Sequence, residues 1–180
     1  MGVRRLVAAA AVAALAGCSG VAPDGTPGAS PSSDPFLEPR ETDATGPLVD
    51  LGAGESFETG WRYAIYPREA GWCTQLEVTG AVTSRCEDLL PSGDETFGSI
   101  GRETSDITGA TVFDGVVTED VATVWLVFGP TARIPATLMA LEGAGPDGQA
   151  FVGVVPASQT LTHMQALALN GQVLETLDLR

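Results

Sequence analysis

The chain predicts an all-β fold, an antiparallel β-sandwich, and three observations carry that prediction. Segments in which apolar and polar residues alternate with period two recur from residue 50 to the end. The chain holds 22 Gly and 12 Pro in 180 residues, and they punctuate those segments at short intervals. No stretch carries the 3.6-residue apolar period of a helix.

The strands follow in order. Trp61, Tyr63 and Ile65 alternate with Arg62 and Ala64. Trp72, Thr74, Leu76 and Val78 alternate with Cys73, Gln75 and Glu77. Each pattern is that of a strand with one wet face, and it places Trp61 and Trp72 in the core. Val121 to Phe128 (VATVWLVF) is apolar on both faces, between Glu119-Asp120 and Gly129-Pro130. It predicts the central, most buried strand, with Trp125 in the core. Ile134–Leu141, Phe151–Val155, Leu161–Leu169 and Gln172–Leu179 follow, and Pro135 confines its strand to an edge or a bulge. Asn170-Gly171 predicts a two-residue turn that pairs Leu169 with Gln172. That register puts Met164, Ala168, Val173 and Leu177 on the core face and His163 opposite Asp178 on the other. In all, about seven to nine short strands are expected, in an immunoglobulin-like layout. A β-barrel is the alternative.

The chain divides into three parts: 1–17, 18–49 and 50–180. The first has Arg4 and Arg5, then an uncharged run from Leu6 to Leu15. That run is too short to span a bilayer, which needs about 20 residues, and it has the layout of an export signal. The second part, rich in Pro, Gly, Ser, Thr and acids, lacks the apolar periodicity to offset its ordering entropy. It predicts a disordered acidic tether. The third part is read as a single domain.

Charge and composition exclude several functions. The formal charge is −14, with nine arginines and no lysine against 23 acids. Such a balance disfavours nucleic acid, whose phosphates require cations. Without lysine there is neither a Schiff-base nucleophile nor a P-loop. His163 is the sole imidazole, and no G-x-S-x-G occurs, so the usual serine-hydrolase devices are missing. Gly143 to Gly148 spells G-x-G-x-x-G, but Pro146-Asp147-Gly148 makes a turn and a strand follows. A dinucleotide site needs a helix there, so this is read as a loop. No cofactor is expected.

Carboxylate chemistry stays open. Glu87-Asp88, Asp94-Glu95 and Glu119-Asp120 are acidic pairs, and two carboxylates suffice for glycoside hydrolysis. The loop from Glu87 to Thr108 holds Asp88, Asp94, Glu95, Glu103 and Asp106. These are weak candidates for a calcium site, since oxygen ligands are what calcium takes.

Leu15-Ala16-Gly17-Cys18 resembles the lipobox of bacterial lipoproteins. The resemblance implies diacylglycerol on Cys18 and cleavage before it. Two acyl chains anchor stably where one does not. Loss of residues 1–17 removes two arginines and no acid, taking the charge from −14 to −16. An anionic leaflet repels such a chain, so lipid must hold it there. Lipidation also settles the cysteine count, because it leaves Cys73 and Cys86 for one disulfide. If Thr79-Gly80 is a two-residue turn, these two stand directly opposite each other. Their bridge should stabilise the fold by about 3 kcal/mol. Asp114–Val127 and Ala166–Leu177 also resemble strand motifs of uncharacterised lipoproteins of high-GC Gram-positive bacteria. The expectation is therefore a lipid-anchored, non-catalytic accessory or binding module on the outer face of the cytoplasmic membrane, with an envelope protein as a partner. In a cell with two membranes, the outer membrane is the alternative. A glycan enzyme using carboxylates and a structural envelope protein are the other readings.

Overall fold

The computed structural model describes residues 34–86, 89–144 and 146–179. Twelve strands run through them. The first six are β1 (Val49–Ser56), β2 (Thr59–Arg68), β3 (Gly71–Val78), β4 (Ala81–Arg85), β5 (Gly101–Thr104) and β6 (Thr111–Val117). The other six are β7 (Val121–Val127), β8 (Arg133–Pro135), β9 (Thr137–Ala140), β10 (Gln149–Val155), β11 (His163–Ala168) and β12 (Val173–Asp178). They form three antiparallel sheets of four: A (β1-β2-β3-β4), B (β5-β6-β10-β9) and C (β12-β11-β7-β8). The fold is an all-β sandwich. Each sheet is open, with edge strands, so the barrel alternative is not realised.

The sandwich has three layers, where a two-sheet layout of seven to nine strands was expected. Sheet B lies in the middle. One of its faces meets sheet A through Val112, Val116, Val152 and Val154, packed with Tyr63, Ile65, Leu76 and Val78. Its other face meets sheet C through Phe113, Val117, Phe151 and Val155, packed with Val124, Leu126, Met164 and Ala166. Close approach on the second face depends on two glycines. Gly115 stands opposite Phe151, and Gly153 opposite Phe113. A side chain on Gly153 would collide with Leu126 of sheet C, and one on Gly115 would come within 2.9 Å of the Phe151 ring. Phe151 thus fills the space beside Gly115, and Leu126 the space beside Gly153.

The central strands are therefore β6 and β10, not β7 as its apolar run predicted. β7 belongs to an outer sheet. Val124 and Leu126 enter the core, whereas Trp125 falls in the opposite phase and is only partly buried. The expectation of a core Trp125 is thus overturned. Trp61 is buried as expected, and Trp72 packs partly buried against the same core.

Pro135 sits on an edge, as expected, and it marks a change of sheet. β8 pairs with β7 at the edge of sheet C, and β9 pairs with β10 at the edge of sheet B. The chain crosses between the layers at Ala136, whose N–H still donates to the Val124 carbonyl at 2.8 Å. Sandwich corners are commonly made by strands that switch sheets in this way.

In sheet A, Val78 faces Ala81 and the register runs back to Thr74 and Arg85. Cys73 and Cys86 then meet as a disulfide with a Cα separation of 4.2 Å. The last hairpin pairs His163 with Asp178 and Met164 with Leu177, the expected register. Its turn differs. The Ala168 N–H donates to the Gln172 carbonyl, and Gly171 at φ 81° closes a three-residue loop. This offsets the strands by one residue, and an irregularity between Ala166 and Leu167 restores the register beyond it. Val173, assigned to the core face, is therefore turned outward and 48% exposed.

Residues 34–48, expected within the disordered tether, are folded onto sheet A. A turn of 3-10 helix at Pro35–Leu37 buries Phe36 to 1% exposure. The Gln75 side chain donates to the carbonyls of Phe36 at 2.6 Å and Glu38 at 3.2 Å. Arg62 lies 4.4 Å over the Phe36 ring and bonds both Asp34 and Asp50. The segment 1–17, Cys18 and Asp88 lie outside the described residues.

Candidate functional site

The layering covers the sheet faces unequally among the described residues. Sheet B is covered on both sides. On the outward side of sheet A, Ala64, Tyr66, Cys73 and Gln75 are buried, with residues 34–48 lying against them, while Asp50 and Ala53 of β1 are exposed. The outer face of sheet C has no such cover.

Register orders the side chains on that face. One row across the strands is Asp178, His163, Val127, Arg133. The next is Thr176, Gln165, Trp125, Pro135. A third brings Val173, Leu167 and Thr123 together. The face thus holds an indole flanked by an amide, an imidazole, hydroxyls and a guanidinium. Cationic Arg133 and anionic Asp178 stand on opposite edge strands, three inter-strand spacings apart, or about 15 Å.

Arg133 carries the electrostatics. Its guanidinium lies 4.4 Å over the Trp125 ring. Contact with the ring restricts the guanidinium on that side. Arg62, Arg68 and Arg85 are ion-paired, whereas Arg133 makes no ion pair among the described residues. Beside it is a hollow of about 430 Å³, lined by Arg133, His163 and Gln165 and by the 129–132 turn.

A hydrogen-bond network holds one edge of the His163 ring. The Thr162 hydroxyl lies 2.8 Å from the Val127 carbonyl, to which it donates. The same oxygen lies 3.1 Å from His163 Nδ1, a contact whose direction follows the ring tautomer. The hollow combines a guanidinium, an imidazole and an amide that both donates and accepts.

Of the acids expected to bind calcium, the described ones, Asp94, Glu95, Glu103 and Asp106, are not brought together. Glu95 accepts from the Ser92 hydroxyl at 2.8 Å, Glu103 lies on β5, and Asp106 sits in the β5–β6 turn. Among the described residues no three His, Cys, Asp or Glu side chains converge as metal ligands. Asp94 is in the loop before β5, and Phe97 and Leu89 of that loop are buried. Glu175 pins the loop by accepting from the Thr96 and Phe97 N–H groups at 2.6 and 3.1 Å. Among the described residues between β9 and β10, which include Gly143, Ala144 and Pro146 to Gly148, there is no helix, and a strand follows as expected.

One acid was not anticipated. Asp114 of β6 is 3% exposed and pairs with Arg85 at 2.9 Å in the interface between sheets A and B. Gly101 stands opposite it, and any side chain there would occupy the space of this pair. Burial pushes the Asp114 carboxyl up from its ordinary value, while Arg85 pulls it back. Burial likewise pushes the Tyr63 phenol up, and its hydroxyl has no hydrogen-bond partner of good geometry among the described residues. The pair lies between the two sheets, with Asp114 the more deeply buried partner.

Sequence reasoning missed Trp125 and Arg133 as surface groups. The signal was parity, because Trp125 is in phase with polar Thr123, and Arg133 with Pro135, on opposite sides of Ile134. No protein-family model, curated protein or solved structure matches the chain.

Proposed function

We propose that the chain is a non-catalytic binding module held at the cell envelope, with the outer face of sheet C as its binding surface. The observation that carries this reading is the uncovered face itself. A part-exposed tryptophan and an arginine with no ion pair among the described residues stand there, on a sheet whose opposite face is packed against sheet B. Exposed aromatic and arginine side chains are what binding surfaces concentrate. The lipobox supports anchorage through diacylglycerol on Cys18 at the outer face of the cytoplasmic membrane. The composition between Cys18 and Asp34 suits a stand-off from that membrane.

Cross-linking in intact cells, followed by affinity capture and mass spectrometry, tests the reading. The expected result is a reproducible envelope component captured by the wild-type chain and lost with either Cys18→Ala or Trp125→Ala. Capture that survives Trp125→Ala removes sheet C from the proposal. Absence of any component above background removes the binding role. Cys18→Ala should also move the chain from the membrane fraction to the soluble fraction.

A further inference from the structure

We infer that the sheet C face takes an acidic glycan, a chain of pyranose rings bearing carboxylates, with Arg133 as the carboxylate-binding residue. The inference rests on the binding role proposed above and names its ligand class. Three observations lead to it.

The first is the geometry of Arg133. Its guanidinium lies 4.4 Å over the Trp125 ring, which restricts it before a ligand arrives. A planar fork matches a carboxylate through two parallel hydrogen bonds. Preorganisation lowers the ordering cost of that contact. Arg40 and Arg102 are likewise exposed and outside the ion pairs among the described residues, but Arg133 is the one beside the sheet C hollow.

The second is the chemistry of the hollow. Gln165 both donates and accepts, and the His163 imidazole stands beside Thr162 with its other ring nitrogen available for a hydrogen bond. Sugar hydroxyls are donors and acceptors at once and satisfy this set. An acidic peptide has carboxylates for Arg133 but few hydroxyls for the remainder.

The third is extent. Arg133 on β8 and His163 on β11 are two strands apart, or about 10 Å, comparable to a disaccharide. The sugar between them would lie along Val127, which lines the hollow between these side chains. Asp178 stands beyond His163. There it opposes extension of an acidic chain past β12 and so sets the ligand's polarity.

Calorimetric titration of the full chain in mild detergent tests the inference. The probes are tetragalacturonate, a neutral tetrasaccharide of the same ring size, and hexaglutamate. Tetragalacturonate should bind at least tenfold more tightly than either control, and its affinity should fall as salt rises. Arg133→Gln should reduce that affinity at least tenfold and remove most of the salt dependence. Gln165→Ala should weaken it severalfold, with little change in the salt dependence. Both variants alter part-exposed or exposed side chains, and an unchanged melting temperature confirms that they fold. Equal binding of hexaglutamate overturns the glycan assignment in favour of an acidic peptide. No preference for tetragalacturonate over the neutral sugar, or an Arg133→Gln variant that binds like wild type, overturns the role of Arg133. Failure here with successful Trp125-dependent capture in cells removes the ligand class and leaves the binding role standing.

Discussion

Two aspartates show how the same side chain takes opposite roles with burial. Asp114 sits against Arg85 inside the A–B interface, and its partner is also mostly buried. Removing one member of such a pair leaves an uncompensated charge. Asp114→Ala should therefore destabilise the fold by about 3–5 kcal/mol, read as a shift in the urea midpoint. Its carboxyl is pushed up by burial. The proton is thus held more tightly in the folded state, and this group favours the fold most below pH 3.8, an advantage lost as pH rises through its elevated value. Asp34 has the opposite sign. Hydrogen bonds from Arg62 and the Phe36 N–H hold its carboxyl below the ordinary 3.8. Its contribution is present above that value and lost as pH falls through the lowered one. Asp34→Asn should thus be less stable than wild type at pH 7 and converge on it in acid, measured by thermal melts across pH. Neither role is legible in the sequence. Asp114 reads as an interruption of an apolar strand, and only Arg85 from another sheet explains it.

At the scale of elements, alternation located most strands and the pairing of Cys73 with Cys86, because both depend on local spacing. It misjudged which strands are central. A doubly buried strand is expected to be a run of large apolar residues. β6 and β10 instead carry Gly115 and Gly153, because three stacked sheets must interdigitate side chains on both faces. Small residues there conceal burial, and large ones on β7 imitate it. Gly153→Ala should push against Leu126 and cost about 1–3 kcal/mol in chemical denaturation, the range for overpacking a filled core. The same error hid the candidate site. Trp125 reads as core until its phase with Thr123 is set against that of Val124 and Leu126, which meet sheet B.

At the scale of the whole molecule, the domain begins earlier than its strands do. Residues 34–48 have the composition of a linker, but Phe36, Gln75 and Arg62 bind them to sheet A. Phe36→Ala should cost about 3–5 kcal/mol, the range for emptying a buried aromatic site, and should expose the Asp34–Leu48 segment to protease. A variant as stable as wild type would return that segment to the tether. The sequence by itself determined the β class, the hairpin that places the disulfide and the resemblance at Cys18, because each is written in spacings of a few residues along the chain. Only the tertiary structure decided that there are three layers, that Asp114 is paired, and that Trp125 and Arg133 face outward. Those outcomes depend on which sheet covers which face, and covering is a contact between segments far apart in sequence that no local period records.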